Sequence, residues 1–92
     1  MTRVWKFAVP TQRGNFELPA PRKLAPLALD FQGDELFMWG LVENTNDAAR
    51  HIFRTVATGE ENGLLCKGAY IGTATYDNLV LHLFYMGAQD ES

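Results

Sequence analysis

Residues 27–43 read LALDFQGDELFMWGLVE and predict a β-hairpin. Up to Phe31, leucine and phenylalanine side chains occupy every second position, which is the period of a strand with one buried face. Gly33 and Asp34 then supply a two-residue turn, because glycine accepts a positive φ without a Cβ clash. The stretch therefore defines two antiparallel strands and the turn that joins them.

The returning strand is apolar on both faces. Its residues from Leu36 to Val42 are uncharged, whereas a strand at a protein surface is polar on one face. The stretch from Leu79 to Met86 has the same character. The row with Phe37 and Trp39 therefore needs a cover, because an exposed apolar patch of that size marks an interface. Three covers are open: the proline-rich segment and loops, a partner subunit, or a ligand pocket.

Short strands and tight turns account for most of the remaining chain. Alternation predicts strands at residues 3–9, 15–18, 51–58, 69–76 and 79–86. Three prolines punctuate residues 19–26, and the polar residues 44–50 predict a loop with one helical turn at most. The sequence therefore predicts one all-β domain over residues 1–92, with a frayed tail at 87–92. We expect a small antiparallel β-sandwich or partly open barrel of six to seven strands joined by tight hairpins.

Composition narrows the classes of partner. The net charge is −3 and the basic residues are scattered, which argues against a protein that coats DNA. We find neither an apolar segment of membrane-spanning length nor a secretion signal in the sequence. The single cysteine, Cys66, fits a reducing cytosol, so a cytoplasmic location is expected. We interpret Cys66 as a half-buried loop thiol, not as a nucleophile.

The polar candidates are isolated residues. Arg54 lies mid-strand, where its guanidinium suits carboxylate or phosphate, although an ion pair or a solvated head group is the more usual role of such an arginine. His82 lies among leucines and phenylalanines, as a core or half-buried histidine would, and His51 at a strand entry is expected to be solvated. Thr58 and Gly59 close a strand, where Gly59 permits a sharp turn or close approach to a ligand. Their spacing matches no metal, cofactor or catalytic motif, so we expect a non-enzymatic protein.

Several motifs together resemble a family of small uncharacterised proteins of phages and prophage-carrying bacteria. They are VWKFAVP, the hairpin of residues 27–43, FRTVATG, AYIGT and LVLHLFY. The resemblance implies a compact β-domain and a phage or prophage setting, and it implies no activity. Similar members place a histidine after the Thr-Gly pair where this chain has Glu60, so no role of that histidine is transferred.

Three functions follow as hypotheses. The first is an accessory protein that binds a host protein and inhibits a defence or regulatory factor. The second is an oligomer that sequesters a nucleotide signal, with Trp39 or Tyr70 stacking on the base while Arg54 and amides near Gly59 hold phosphate. The third is a structural phage component. The residues predicted to bind a partner, a second copy or a ligand are Phe37, Trp39, Arg54, Thr58, Gly59, Tyr70, His82 and Phe84.

Overall fold

The computed structural model describes residues 1–61 and 67–89, except for the side chains of residues 44 and 45. This part of the chain is built from five strands. They are β1 (Arg3–Val9), β2 (Gly14–Gln32), β3 (Glu35–Ala57), β4 (Ala69–Tyr76) and β5 (Leu79–Gln89). The all-β prediction is confirmed.

The long strand β3 organises the sheet. Its first half pairs with β1 on one side and with the second half of β2 on the other. Its second half pairs with β5 and with the first half of β2, and β4 continues the sheet beyond β5. All pairings are antiparallel. With the two halves of β3 counted separately, six strands form a curled half-barrel, which matches the partly open barrel expected from the sequence.

The hairpin between β2 and β3 lies where the sequence predicts it. Gln32 pairs with Glu35 across the turn, and Gly33 has a φ of 64°. The expectation that prolines break the preceding segment is wrong, since β2 runs through all three. Two physical reasons explain this tolerance. In the described sheet β2 pairs with β3 alone, and edge strands can accommodate a missing N–H. Bulges also interrupt the ladder beside Pro21 and Pro26.

Residues 44–50 do not form the expected loop or helical turn. They belong to β3, and the ladder resumes at Ala48 opposite Pro21 after Glu43 opposite Lys23. The four intervening β3 residues therefore face Arg22 alone, as a large bulge. The Arg22 guanidinium donates to the Asp47 carboxylate at 3.2 and 3.3 Å. The polar residues thus bend a continuous strand instead of ending it.

The core lies between the inner faces of the two halves. Phe16 stacks on Phe53 with ring centroids 5.4 Å apart, and Phe31 meets Tyr76 at 5.5 Å. A one-residue bulge at Leu27 turns that side chain outward, where it is half exposed. The expectation that Leu27 shares the inner face with Leu29 and Phe31 is therefore wrong. The buried apolar residues are Phe7, Val9, Ala20, Leu29, Leu36, Met38, Val42, Ala49, Phe53, Val56, Ala74, Leu81 and Leu83.

His51 belongs to this core, so the expectation that it is solvated is wrong. It is completely buried, with Nε2 2.9 Å from the Pro21 carbonyl and Nδ1 2.9 Å from the Tyr85 hydroxyl. A carbonyl can only accept, so Nε2 carries the proton and donates to it. For a neutral ring, Tyr85 must then donate to Nδ1. Burial raises the pKa of the Tyr85 phenol above its usual value of 10.0.

Residues 87–89, predicted to be part of a frayed tail, belong to a strand. β5 continues to Gln89, and Gly87, Ala88 and Gln89 pair with residues 50–52 of β3. Residues 90–92 of the predicted tail, and Cys66, predicted to lie in a loop, lie outside the described residues. In the described part of the chain, no helix has the length and apolar character needed to span a membrane.

Candidate functional site

The eight predicted binding residues fall on two separate surfaces. Phe37 and Trp39 lie on the outer face of the first half of β3. The other six lie on the second half of β3 and on β4 and β5, or in the turn after β3. They are Arg54, Thr58, Gly59, Tyr70, His82 and Phe84. The structure therefore brings together six of the eight predicted residues and leaves Phe37 and Trp39 on a different surface.

The first surface, called here the Trp39 face, consists of Val4, Lys6, Phe37, Trp39 and Leu41. Phe37, Trp39 and Leu41 are half-buried, although they point away from the core, and Val4 is 57% exposed. The rings of Phe37 and Trp39 lie 6.3 Å apart at 57°. The chain thus presents an aromatic row on the outside of its sheet.

The proline-rich segment does not cover this row. It is part of β2 and lies beside β3 in the same sheet, so it cannot lie across the face. Instead, the Lys6 ammonium lies 4.1 Å from the centre of the Phe37 ring and 5.9 Å from that of Trp39. It also donates to Gln32. A cation above an aromatic face is favourable, and a lysine stem shields apolar surface while its charge stays in water.

Small residues flank the aromatic row. Ala8 and Asp30 are the register neighbours of Phe37, and Ala28 is that of Trp39 on β2. Side chains that are directly opposite in a sheet project on the same face. Both alanines are exposed, so Phe37 has a short side chain beside it on β1 and Trp39 has one beside it on β2. The space above these two alanines can receive the side chains of another molecule.

On the second surface, the pairing register of β3, β5 and β4 places the predicted residues side by side. Arg54 pairs with Phe84, which in turn pairs with Tyr70. His82 pairs with Thr73 in the neighbouring row. Tyr70 is 58% exposed and meets Phe84 edge to face, with ring centroids 5.6 Å apart.

A chain of hydrogen bonds, called here the His82 chain, crosses this surface through Thr58, His82, Thr73 and Tyr70. Thr58 Oγ1 lies 2.7 Å from His82 Nε2, and Thr73 Oγ1 lies 2.8 Å from Nδ1. The Thr73 hydroxyl also bonds to the Tyr70 hydroxyl. Both ring nitrogens of His82 are therefore engaged.

Proton counting shows what the His82 chain can offer a ligand. A neutral imidazole has one N–H, so one ring nitrogen donates and the other accepts. If Nε2 donates to Thr58, the Thr58 hydroxyl proton is left for a ligand. If Nδ1 donates to Thr73, the bond between the Thr73 and Tyr70 hydroxyls can run in either direction, and the proton left for a ligand is that of Tyr70 or of Thr73. Either tautomer therefore presents one donor, at Thr58 in the first case and at the Thr73–Tyr70 end in the second.

The same geometry resembles a nucleophile, a base and a residue that orients the base. Thr58 is within hydrogen-bond reach of His82, as a nucleophile must be of its base. However, the group that orients His82 is the neutral hydroxyl of Thr73, not a carboxylate that would stabilise an imidazolium. The arrangement thus serves hydrogen bonding better than nucleophilic activation.

Arg54 and Gly59 have local structural partners. Arg54 donates to Asn15 Oδ1 at 2.7 Å, and its second terminal nitrogen is 3.9 Å from Glu60. Gly59 has a φ of 85° inside a turn in which the Glu60 N–H donates to the Ala57 carbonyl at 3.2 Å. The ion pair and the turn weighed as alternatives in the sequence are therefore both present.

Sequence reasoning missed several residues of these surfaces. Thr73 completes the His82 chain, and Lys6 and Val4 contribute to the Trp39 face. The strand alternation in AYIGTATY and RVWKFAV gave the faces of these residues, but not the strand that each would meet. In the described residues, no group of three or more histidine, cysteine, aspartate or glutamate side chains could hold a metal.

A family model described as a domain of unknown function, DUF7352, matches residues 1–92, so the chain belongs to that family. No curated protein and no solved structure matches the chain.

Proposed function

We propose that this member of the DUF7352 family acts without catalysis, by binding another protein through the Trp39 face. The observation that supports this is the position of Phe37, Trp39 and Leu41, which point away from the core and remain half-buried at the surface. Tryptophan and other aromatic side chains carry much of the binding energy in protein interfaces.

The surroundings of the face favour a protein surface as the occupant. Exposed alanines flank the aromatic rings, which suits interdigitation with side chains of a partner. The rim is polar, with Lys6 bonded to Gln32 and Thr2 donating to Glu43 at 2.7 Å. An apolar centre inside a polar rim is the usual anatomy of an interface.

The resemblance to phage and prophage proteins supports a biological setting in which this protein acts inside a bacterial host. In that setting the partner is a protein of the bacterial host, and binding would block a defence or regulatory factor. The net charge of −3 suits a partner with a basic surface, since complementary charge speeds encounter and favours the correct partner. A second copy of the chain on the same face would make a homo-oligomer instead.

Site-specific crosslinking in producing cells tests this proposal. A photoreactive phenylalanine analogue at Val4, beside the aromatic row, is expected to capture a host protein. The same analogue at the exposed Thr75 on β4 is the control and is expected to capture none. Trp39→Ala should weaken the captured partner's affinity about 30-fold or more, as loss of a central aromatic does. Tyr70→Ala, which truncates an exposed aromatic on the other surface, should leave that affinity unchanged.

The outcomes separate the alternatives. Equal capture from Val4 and Thr75, or full affinity in Trp39→Ala, would contradict binding through the Trp39 face. Capture of a second copy at Val4, with a mass in light scattering that falls on dilution, would support the homo-oligomer in place of a host partner.

A second candidate function is the binding of a nucleotide-like ligand on the other surface. It is favoured by the exposed Tyr70 ring next to the donors of the His82 chain, on which a base could stack. Arg54 is bonded to Asn15 and lies 3.9 Å from Glu60, so the polyphosphate of a nucleotide at this arginine would be repelled by that carboxylate. Melting with a nucleotide panel tests this function. A ligand at 100 times its Kd adds about 2.7 kcal/mol, so unchanged melting across the panel would exclude it at those concentrations.

A further inference from the structure

A pocket that shares no lining residue with the Trp39 face lies at one end of the half-barrel. It has a volume of about 690 Å³, within the range of about 300–1,000 Å³ common for small-molecule sites. The turn between β1 and β2 forms one wall with residues 11–14, and β3 and the following turn contribute Arg54, Ala57 and Glu60. Leu79 and Leu81 of β5 complete the lining.

The charges in this pocket do not balance. Its lining holds two guanidinium groups, from Arg13 and Arg54, and one carboxylate, from Glu60. Arg13 lies 3.6 Å from one oxygen of Glu60 and Arg54 lies 3.9 Å from the other. One negative charge is thus shared by two positive charges, which leaves a surplus of one positive charge in a protein whose net charge is −3.

The Glu60 carboxylate would compete only weakly with an anionic ligand for Arg13 and Arg54. Both separations exceed the usual length of a charge-assisted hydrogen bond, about 2.7–2.9 Å. The Glu60 Oε1 atom instead accepts the Ala57 N–H at 3.3 Å. Arg13 is 64% exposed along its side chain and can move toward a ligand. Arg54 is fixed in place by its bond to Asn15. One arginine is therefore preorganised and the other is adjustable.

The rest of the lining is largely apolar on one side. Ala57 and Leu81 line the pocket next to Leu79, which is partly exposed to solvent. An apolar wall beside a cationic end suits a ligand with an apolar body and an anionic head. The surplus of a single positive charge suits one negative charge, since a polyanion would be repelled by Glu60.

We propose that this pocket binds a small organic monoanion. Its head, a carboxylate or a phosphodiester, lies between Arg13 and Arg54, and its apolar body lies against Leu79. This site shares no residue with the Trp39 face, so it stands or falls independently of the proposed function.

Calorimetric titration of the full chain with three probes tests the proposal. The probes are hexanoate, methyl hexyl phosphate and the neutral hexanol. Both anions are expected to bind and hexanol to bind at least tenfold more weakly, because hydrogen bonds to charged groups contribute strongly. The tighter of the two anions identifies the head that the pocket prefers. Equal affinity for hexanol and hexanoate, or no heat from either anion, would overturn the proposal.

Three variants assign the binding to this pocket. Arg13→Gln is expected to weaken the anions about tenfold, whereas Arg3→Gln, on an exposed arginine of β1, should have no effect. Glu60→Gln removes the shared negative charge and is expected to strengthen anion binding several-fold. A gain in affinity cannot arise from misfolding. If Glu60→Gln weakened binding, or Arg3→Gln reduced it as much as Arg13→Gln, the assigned site would be wrong.

Discussion

Replacing Tyr85 with phenylalanine tests the buried hydrogen-bond network around His51. Phenylalanine preserves the ring contacts that Tyr85 makes with Phe53 and His51, whose centroids lie 5.1 and 5.8 Å away. The substitution therefore removes a hydroxyl and almost no packing. Because the Pro21 carbonyl fixes the His51 proton on Nε2, the Nδ1 atom loses its donor and stays buried.

The expected loss of stability follows from that buried acceptor. An unsatisfied buried polar group costs about 1–3 kcal/mol. For a domain of this size, each kcal/mol lowers Tm by about 5 °C, so Tyr85→Phe should lower Tm by about 5–15 °C. The assay is urea and thermal unfolding followed by circular dichroism. Tyr76→Phe is the matched control, because Tyr76 is 44% exposed. If Tyr85→Phe cost no more than Tyr76→Phe, the reasoning about the His51 tautomer would be refuted.

Three further predictions concern the same core. Thr55→Val should raise the unfolding free energy by about 1 kcal/mol in urea denaturation, since the buried Thr55 hydroxyl has no partner among the described residues; a loss would indicate an unseen partner. Because burial raises the Tyr85 pKa, the neutral phenol is the form that folding favours. The contribution of the neutral Tyr85 phenol to the unfolding free energy is therefore complete below pH 10, and it is lost as pH rises through the higher pKa of the folded state. Wild type should lose more stability than Tyr85→Phe between neutral pH and that alkaline range, and parallel curves would contradict this. Gly72→Ala should lower the unfolding free energy by about 1–3 kcal/mol, because its Cβ would lie 3.2 Å from Leu29 Cβ, which is fixed to the backbone; an unchanged Tm would show that Leu29 moves aside without cost.

Local sequence patterns were sufficient to predict the hairpin at residues 27–43, but not the course of the strands around it. Gly33 and the alternation on either side of it determine the turn and register within one short stretch. The behaviour of Pro19, Pro21 and Pro26 depends instead on β2 having one partner in the sheet, a property of the assembled fold. The polar residues 44–47 likewise form a bulge only because β2 continues opposite them.

The candidate site was predictable to a similar extent. Apolar residues on both faces of one strand indicated that one row, with Trp39, lies outside the core, and the structure places Trp39 half-buried on the outer face of the sheet. His82 was singled out by its apolar neighbours, but its bond to Thr73 depends on a β4–β5 register that a bulge between Tyr70 and Gly72 shifts. His51 was misplaced because alternation separates two rows, one with Phe53 and the other with Ile52, without showing which row faces inward.

The length of β3 has a consequence for how the protein comes apart. One strand is hydrogen-bonded in both halves of the barrel, and its hairpin partner β2 runs beside it through both. The two halves use different residues of β3 for these bonds, but β3 and β2 both pass from one half to the other without a break. We therefore expect the halves to unfold as one cooperative unit, and amide exchange in β1 and in β5 should report a common opening free energy.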